Sequence, residues 1–361
     1  MSRRTLSRSE TVNAIGRTLP FLIIVVSVAL DVTTPDQARF DRFLFAAPAL
    51  AAVAWGPMAT LGIGLLSMVA AYALIADRTG FGLSAIPTTL LSLLLVTLVS
   101  AWSSSLRRRR EHQLQQVGAI AEATQRALLR PMPSRLAHVD LHLLYEASAQ
   151  GARVGGDFYK ALPAHDGVRL IVGDVQGKGL GAVEAASLLL SSFRESAYTA
   201  DGLGEIARRL DTTMRRYAEL RPESEAADRF ATVLLVELPT DEPVARILSC
   251  GHPAPLVQHG GTVAAVPIPS PAFPVNLAGI ENDVFEIVEV PFGPGDRLLL
   301  FTDGVSETRD ATGNFYPLEN RIASWRFRPA DRVLPLLHAD LARFAVRGLA
   351  DDTTAILAVR H

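Results

Sequence analysis

Residues 168–179 read Val-Arg-Leu-Ile-Val-Gly-Asp-Val-Gln-Gly-Lys-Gly. Val168 to Gly173 is an apolar run of strand character, Asp174 ends it, and Gly177 and Gly179 mark a turn before a helical pattern from Gly181 to Ala197. A second run, Leu298 to Thr302, stops at Asp303-Gly304 in the same way. An acid at a strand's end stands at a sheet's edge, where substrate reaches it while its backbone is held rigidly. Two such acids on two strands can meet.

Working outward, further β-rich runs are Val139 to Ala149, Phe230 to Leu238, Val244 to Cys250, Val284 to Val290 and Thr354 to Val359. Leu203 to Leu220 and Ala330 to Val346 add helical patterns. Two more acidic motifs flank the first pair: Gly155-Gly156-Asp157 upstream, and Asp351-Asp352-Thr353-Thr354 before the final strand. Carboxylates without companion cysteines or clustered histidines suit hard divalent ions, Mg²⁺ or Mn²⁺. Two such ions about 3.5 to 4 Å apart bind phosphate oxygens and activate a bridging water for in-line attack. Each acid alone proves little, since Asp-Gly is usually a turn and paired acids such as Asp351-Asp352 are more often a solvated corner; their order carries the argument.

That order resembles a known family. Val154-Gly155-Gly156-Asp157-Phe158-Tyr159, Gly173-Asp174-Val175-Gln176-Gly177-Lys178-Gly179, Phe230-Ala231-Thr232, Cys250-Gly251-His252-Pro253, Thr302-Asp303-Gly304 and Asp351-Asp352-x-Thr are similar to the ordered motifs of the SpoIIE-like branch of the protein phosphatase 2C-type, metal-dependent (PPM) family. The resemblance covers residues 135–361. It implies an α+β fold, a phosphatase 2C-like sandwich of two β-sheets flanked by helices, with metals in a cleft at one edge. It also implies a metal pair of Mn²⁺ or Mg²⁺ held by Asp157 and Asp174 with the Val175 carbonyl, completed by Asp303 and by Asp351 in preference to Asp352. The substrates it implies are phosphoserine or phosphothreonine on a regulatory protein, such as an anti-sigma-factor antagonist.

Four nearby residues stay open. Many relatives carry a second acid where this chain has Lys160, which reads as a surface lysine, a modifier of metal binding or a phosphate contact. Lys178 reads as an exposed turn or a second phosphate contact. His252 reads as a general acid or as a turn whose imidazole bonds the backbone. Glu307 supports Asp303 or is merely polar.

The first third of the chain differs in kind. Hydrophobic residues make up 49% of the sequence although 20% are charged, and the apolar ones concentrate in Leu19 to Leu30, Phe43 to Trp55, Pro57 to Ala76 and Ile86 to Trp102. These predict about four transmembrane helices in residues 1–105. Arg3, Arg4, Arg8 and Arg17 precede the first and Arg107 to Arg110 follow the last, so the N-terminus and the phosphatase region are expected in the cytoplasm, beside the cell membrane's lipid bilayer. A cleaved signal peptide is the rival reading of the first stretch. Residues 106–134 read as a helical linker with a weak seam of Leu114, Val117, Ala121, Thr124 and Leu128, closed by Pro131 and Pro133. That seam suits a homodimeric coiled coil or a helix packed on its own domain.

The net charge of −2 supplies no positive field for nucleic acid. A single cysteine, Cys250, excludes a disulfide framework within the chain. Two rival functions remain at this stage: an inactive phosphatase-fold scaffold and a membrane receptor.

Overall fold

The computed structural model describes residues 8–34, 40–79, 86–129, 131–147, 155–221, 228–277, 285–345, 348–349 and 351–361. The chain divides into two compact units, Met1–Gln115 and Gln116–His361.

The first unit holds α1 (Arg8–Thr33), a 3₁₀ turn (Asp41–Phe45), α2 (Ala46–Ala54), α3 (Pro57–Thr79) and most of α4 (Ile86–Leu128). Among the described residues, three helices are long and apolar enough to cross a membrane, over Gly16–Thr33, Pro57–Ala76 and Thr88–Gln113. The second expected span falls short. Its apolar helix covers only Arg42–Ala54, and a 3₁₀ turn plus nine α-helical residues rises roughly 23 Å against a hydrocarbon core of about 30 Å. It nonetheless runs antiparallel to α1. Phe40 N–H donates to Asp31 Oδ1 at 3.0 Å at one end, and Ala54 lies beside Gly16 at the other.

Helix α3 turns a small-residue face of Thr60, Gly64, Ser67 and Ala71 inward, and a Cβ at Gly64 would collide with the Thr97 side chain of α4. Close backbone approach of this kind is how helices associate where no hydrophobic drive separates them from lipid. At the Gly56 end, Ser104 Oγ donates to the Trp55 carbonyl at 2.8 Å. Arg107 reaches the Ala52 and Trp55 carbonyls at 3.1 Å each, satisfying acceptors that the end of α2 leaves open. Residues 35–39 and 80–85 lie outside the described residues, as do the first basic residues of the chain.

In the second unit the strands are β1 (Arg135–Leu136), β2 (Val139–Glu146), β3 (Asp157–Ala164), β4 (Gly167–Val175), β5 (Ala231–Pro239), β6 (Val244–Cys250), β7 (Leu256–His259), β8 (Thr262–Ala265), β9 (Val288–Pro291), β10 (Arg297–Phe301) and β11 (Thr353–Arg360). The helices are α5 (Leu180–Thr199), α6 (Leu203–Glu219), α7 (Asp303–Ser306), α8 (Leu318–Ser324) and α9 (Ala330–Phe344). Among the described residues the strands form two antiparallel sheets, ordered β1-β2-β11-β10-β7-β8 and β3-β4-β5-β6-β9. This is the expected α+β sandwich.

The main core lies between the sheets and beneath α5 and α6; Phe158, Phe193, Leu170 and Ile171 are fully buried in it. A second core joins α8 and α9 to the other sheet through Leu299, Leu337 and Leu341. Because β4 is covered on both faces, its sequence is a continuous apolar run rather than an alternation. The charge of Arg169 within it is answered by Glu237 at 2.8 Å. Its guanidinium also donates to the Ala197 and Ala200 carbonyls at the end of α5. Amphipathic α6 buries Leu203, Ile206, Ala207, Leu210, Met214 and Tyr217, the three-and-four spacing of one helix face.

Several boundaries differ from expectation. β3, β7, β8 and α8 have no counterpart in the sequence reading, and β3 escaped it because Lys160 and Pro163 interrupt its apolar pattern. Ser148 and Ala149, Val284 and Val346, expected in regular elements, lie outside the described residues. The linker helix ends at Leu128 ahead of Pro131, as its prolines predict. In its expected dimer seam Thr124 is exposed, and the side chains of Leu114, Val117, Ala121 and Leu128 lie outside the described residues.

Candidate active site

Asp157 opens β3 and Asp174 stands one residue from the end of β4, and the antiparallel register makes them direct partners. Asp157 is 2% exposed. Its Oδ2 accepts hydrogen bonds from Thr302 Oγ1 at 2.8 Å and Thr354 Oγ1 at 2.6 Å, both from the other sheet. Thr354 N–H in turn donates to Thr302 Oγ1 at 3.1 Å, completing the support. Asp303 begins α7 directly after β10, and Asp351 and Asp352 precede β11. The four acidic motifs, separated by up to 195 residues of sequence, therefore converge where the two sheets meet.

Two adjacent glycines make room for this. A Cβ on Gly155 would run into the Asp352 carboxylate, and one on Gly156 would lie 2.1 Å from the Val175 carbonyl oxygen and 2.7 Å from Asp174 Oδ1. Side chains here would push the acids apart. Just past the end of β4, Gly177 and Gly179 adopt φ values of +93° and +88°, which L-residues with side chains resist. The turn they form carries Lys178, whose Nζ lies 2.8 Å from Asp351 Oδ1.

The electrostatics record the crowding. Burial, then the Asp174 charge, holds the Asp157 carboxyl well above the ordinary carboxylate range, against the opposing pull of its two threonine hydrogen bonds. Burial and then Asp303, Asp351 and Asp352 raise Asp174 to about 8, with Lys178 opposing. Asp303 is raised by burial, then by Asp351 and Glu307. Buried like charges disfavour one another's ionised forms, and a divalent cation reverses that preference. The donors are all oxygen, the set that Mg²⁺ and Mn²⁺ prefer. Among the described residues no three of these side chains already stand close enough to share one ion. The acids are electrostatic neighbours around a shared space, and the residues present fit a hard divalent cation.

Of the other candidates, His252 is fully enclosed. Its Nε2–H donates to the Phe301 carbonyl at 3.0 Å and its Nδ1 accepts from Thr232 Oγ1 at 2.9 Å, so both ring nitrogens are engaged. Burial lowers its pKa to about 4. It is a neutral tie between β5 and β10, as the turn reading expected, and not a general acid. Lys160 shares a face with Phe158 along β3 and so falls on the face opposite Asp157. Glu307 lies close enough to raise Asp303, and its N–H donates to the Asp303 carbonyl at 2.6 Å. Sequence reasoning missed Thr302 and Thr354; each adjoins or follows an acidic motif, a signal that could have found them.

Solved structures show the same architecture. The RsbU and RsbW domains of a Mycobacterium tuberculosis protein share 25% identity with this chain at a TM-score of 0.50, covering 62% of this chain. This chain spans 60% of that structure's length. The SiaA-PP2C domain of Pseudomonas aeruginosa shares 18% identity at a TM-score of 0.53, over 72% of this chain and 99% of that one. The fold is thus that of a PP2C-type phosphatase domain. Residues 164–361 match the family model of stage II sporulation protein E, and the chain belongs to this SpoIIE family.

Proposed function

We propose that the chain is a membrane-anchored, metal-dependent protein serine/threonine phosphatase. The observation that carries this reading is the register pairing of Asp157 with Asp174 at a point where the charges of Asp303 and Asp351 also converge. Asp157, Asp174 and the Val175 carbonyl, with Asp303 and Asp351, would hold two divalent cations, Mn²⁺ or Mg²⁺. Bound there, such a pair supplies positive charge for the phosphate oxygens and acidity for a water.

The chain's own part is positioning. Thr302 and Thr354 fix the Asp157 carboxylate, the paired glycines let the ligands approach, and the Lys178 turn borders the face from which a phosphoryl group enters. Lys178, on that turn and paired with Asp351, would meet the phosphate. His252 stays neutral with both ring nitrogens engaged, so it is not the group that protonates the leaving alkoxide.

The partner is a phosphorylated regulatory protein, and an anti-sigma-factor antagonist agrees with the RsbU likeness. For location, the Gly16 end of α1, the Trp55 end of α2 and the Ser104–Arg107 turn of α4 share one level, where the arginine run begins. This supports an N-terminus and a phosphatase domain both on the cytoplasmic side of the cell membrane.

The test is hydrolysis of a phosphoserine peptide by the full chain in detergent with Mn²⁺. We expect turnover that excess EDTA abolishes, that Mn²⁺ restores and that Asp174→Asn lacks. Turnover that survives complete chelation would sink the metal mechanism. Phosphopeptide binding without turnover would make the protein a scaffold.

A further inference from the structure

Gln125 sits in the last turn of α4, 5% exposed. Its Nε2 donates to the Gly155 carbonyl at 3.2 Å, thirty residues further along the chain. A buried amide needs such a partner, but this partner is the first residue of the Gly155-Gly156-Asp157 motif. On the motif's other side, Val175 N–H donates to the Gly156 carbonyl at 3.2 Å, and the Asp352 carboxylate lies against Gly155. The two peptides that lead into Asp157 are thus held between the end of a helix and the end of β4. The helix end is itself anchored: Leu129 is buried in the main core, and its N–H donates to the Gln125 carbonyl at 2.9 Å.

We infer that Gln125 is a positioning residue for the metal motif, fixing from the linker helix the Gly155 peptide and through it the Asp157 carboxylate. It touches neither cation nor substrate. A glycine pair has no side chains to hold its own conformation, so its geometry depends on the groups that grip its carbonyls. A shift of the helix end would reach Asp157 across two residues.

The inference rests on the metal-dependent reading above, and the test separates the two. Gln125→Met preserves length and burial and removes the donor; Thr124→Val, on the exposed side of the same turn, is the control. In the full chain in detergent, Mn²⁺ binding is followed by electron paramagnetic resonance of the free ion, alongside kcat and KM for a phosphoserine peptide. We expect Gln125→Met to bind Mn²⁺ about 10-fold more weakly and to lose about 10-fold in kcat, as for residues that orient metal ligands. KM should be unchanged, hydrogen exchange in the peptide around Gly155 to Tyr159 should quicken, and Thr124→Val should match wild type. Should Gln125→Met not fold, Gln125→Asn, which withdraws the amide by one methylene, is read by the same outcomes. Wild-type Mn²⁺ affinity and kcat in the variant overturn the inference alone. A wild-type chain that binds no Mn²⁺ overturns the metal reading and this inference with it.

Discussion

Asp157 and Asp174 are cross-strand partners at the open end of the β3–β4 ladder, and both carboxyls are held above their ordinary range by burial and by neighbouring acids. A fold that only had to be stable would not place them so. The strain is concentrated where a cation relieves it, the pattern expected of a functional site.

Replacing Asp157 with asparagine keeps the shape and an oxygen for Thr302 and Thr354 while deleting one charge from the cluster. Mn²⁺ binding and hydrolysis should fall at least about 100-fold. Without metal, the variant should be more stable than wild type by about 1 kcal/mol, since function-bearing strain is removed. Thermal melts in EDTA check this, and a lower midpoint than wild type contradicts it.

Thr354→Val removes one of the two donors to Asp157 Oδ2 without changing the side chain's volume. The remaining Thr302 bond should leave the fold intact, at a cost of about 1 to 3 kcal/mol. Mn²⁺ affinity should weaken roughly 10- to 100-fold, the usual effect of losing a group that orients a ligand. Calorimetric titration with Mn²⁺ decides; equal affinities would leave the threonines a purely structural role.

Gly156→Ala would drive a methyl group into the Val175 carbonyl. Neither strand end can yield without breaking the Val175-to-Gly156 hydrogen bond, so we expect a loss of about 1 to 3 kcal/mol together with loss of activity. Urea unfolding and the phosphopeptide assay measure the two effects, and a fully active Gly156→Ala chain would mean that the cradle is looser than its geometry indicates.

His252 gives a stability term whose sign is set by burial. Its folded pKa of about 4 lies below the ordinary histidine value of about 6.5, so the unfolded chain takes up the proton first. The contribution is complete above the unfolded pKa and is lost as pH falls through this window, to a limit of roughly 3 kcal/mol. His252→Gln, which can still bond Thr232 and Phe301, should flatten the dependence of the urea midpoint on pH there. An unchanged slope would assign that dependence to other groups.

Topology can be read by labelling. Cys250 is buried and its thiol is pushed up to about 12, so the natural chain offers little background. Ser2→Cys and His361→Cys should both react with an impermeant maleimide in inside-out vesicles and in neither case in right-side-out ones. Reaction of Ser2→Cys from the outside would mean an odd number of crossings, with α2 lying short of the bilayer.

Much of the architecture was legible beforehand because it is written locally. The runs that became β4, β5, β10 and β11, the amphipathic face of α6 and the proline stop after α4 each follow from the periodicity or backbone chemistry of adjacent residues. The acidic motifs were legible for the same reason, each being a short signature at a strand's end. β3 was not, since a strand carrying Lys160 and Pro163 has no apolar alternation of its own and is defined by its pairing with β4. The second apolar stretch was half legible: its composition suits a span, while its backbone begins as a 3₁₀ turn and leaves the apolar helix shorter than the other three.

The sequence by itself determined that an apolar helical region precedes an α+β domain carrying four ordered acidic motifs, and it named the acids. Only the tertiary structure decided that Thr302 and Thr354 hold Asp157, that His252 is a tie between strands, that Lys160 falls on the far face and that Gln125 grips Gly155. Those facts depend on register and on contacts between residues dozens to hundreds of positions apart. Such contacts are set by how whole sheets and helices pack, and no local pattern of residues encodes them.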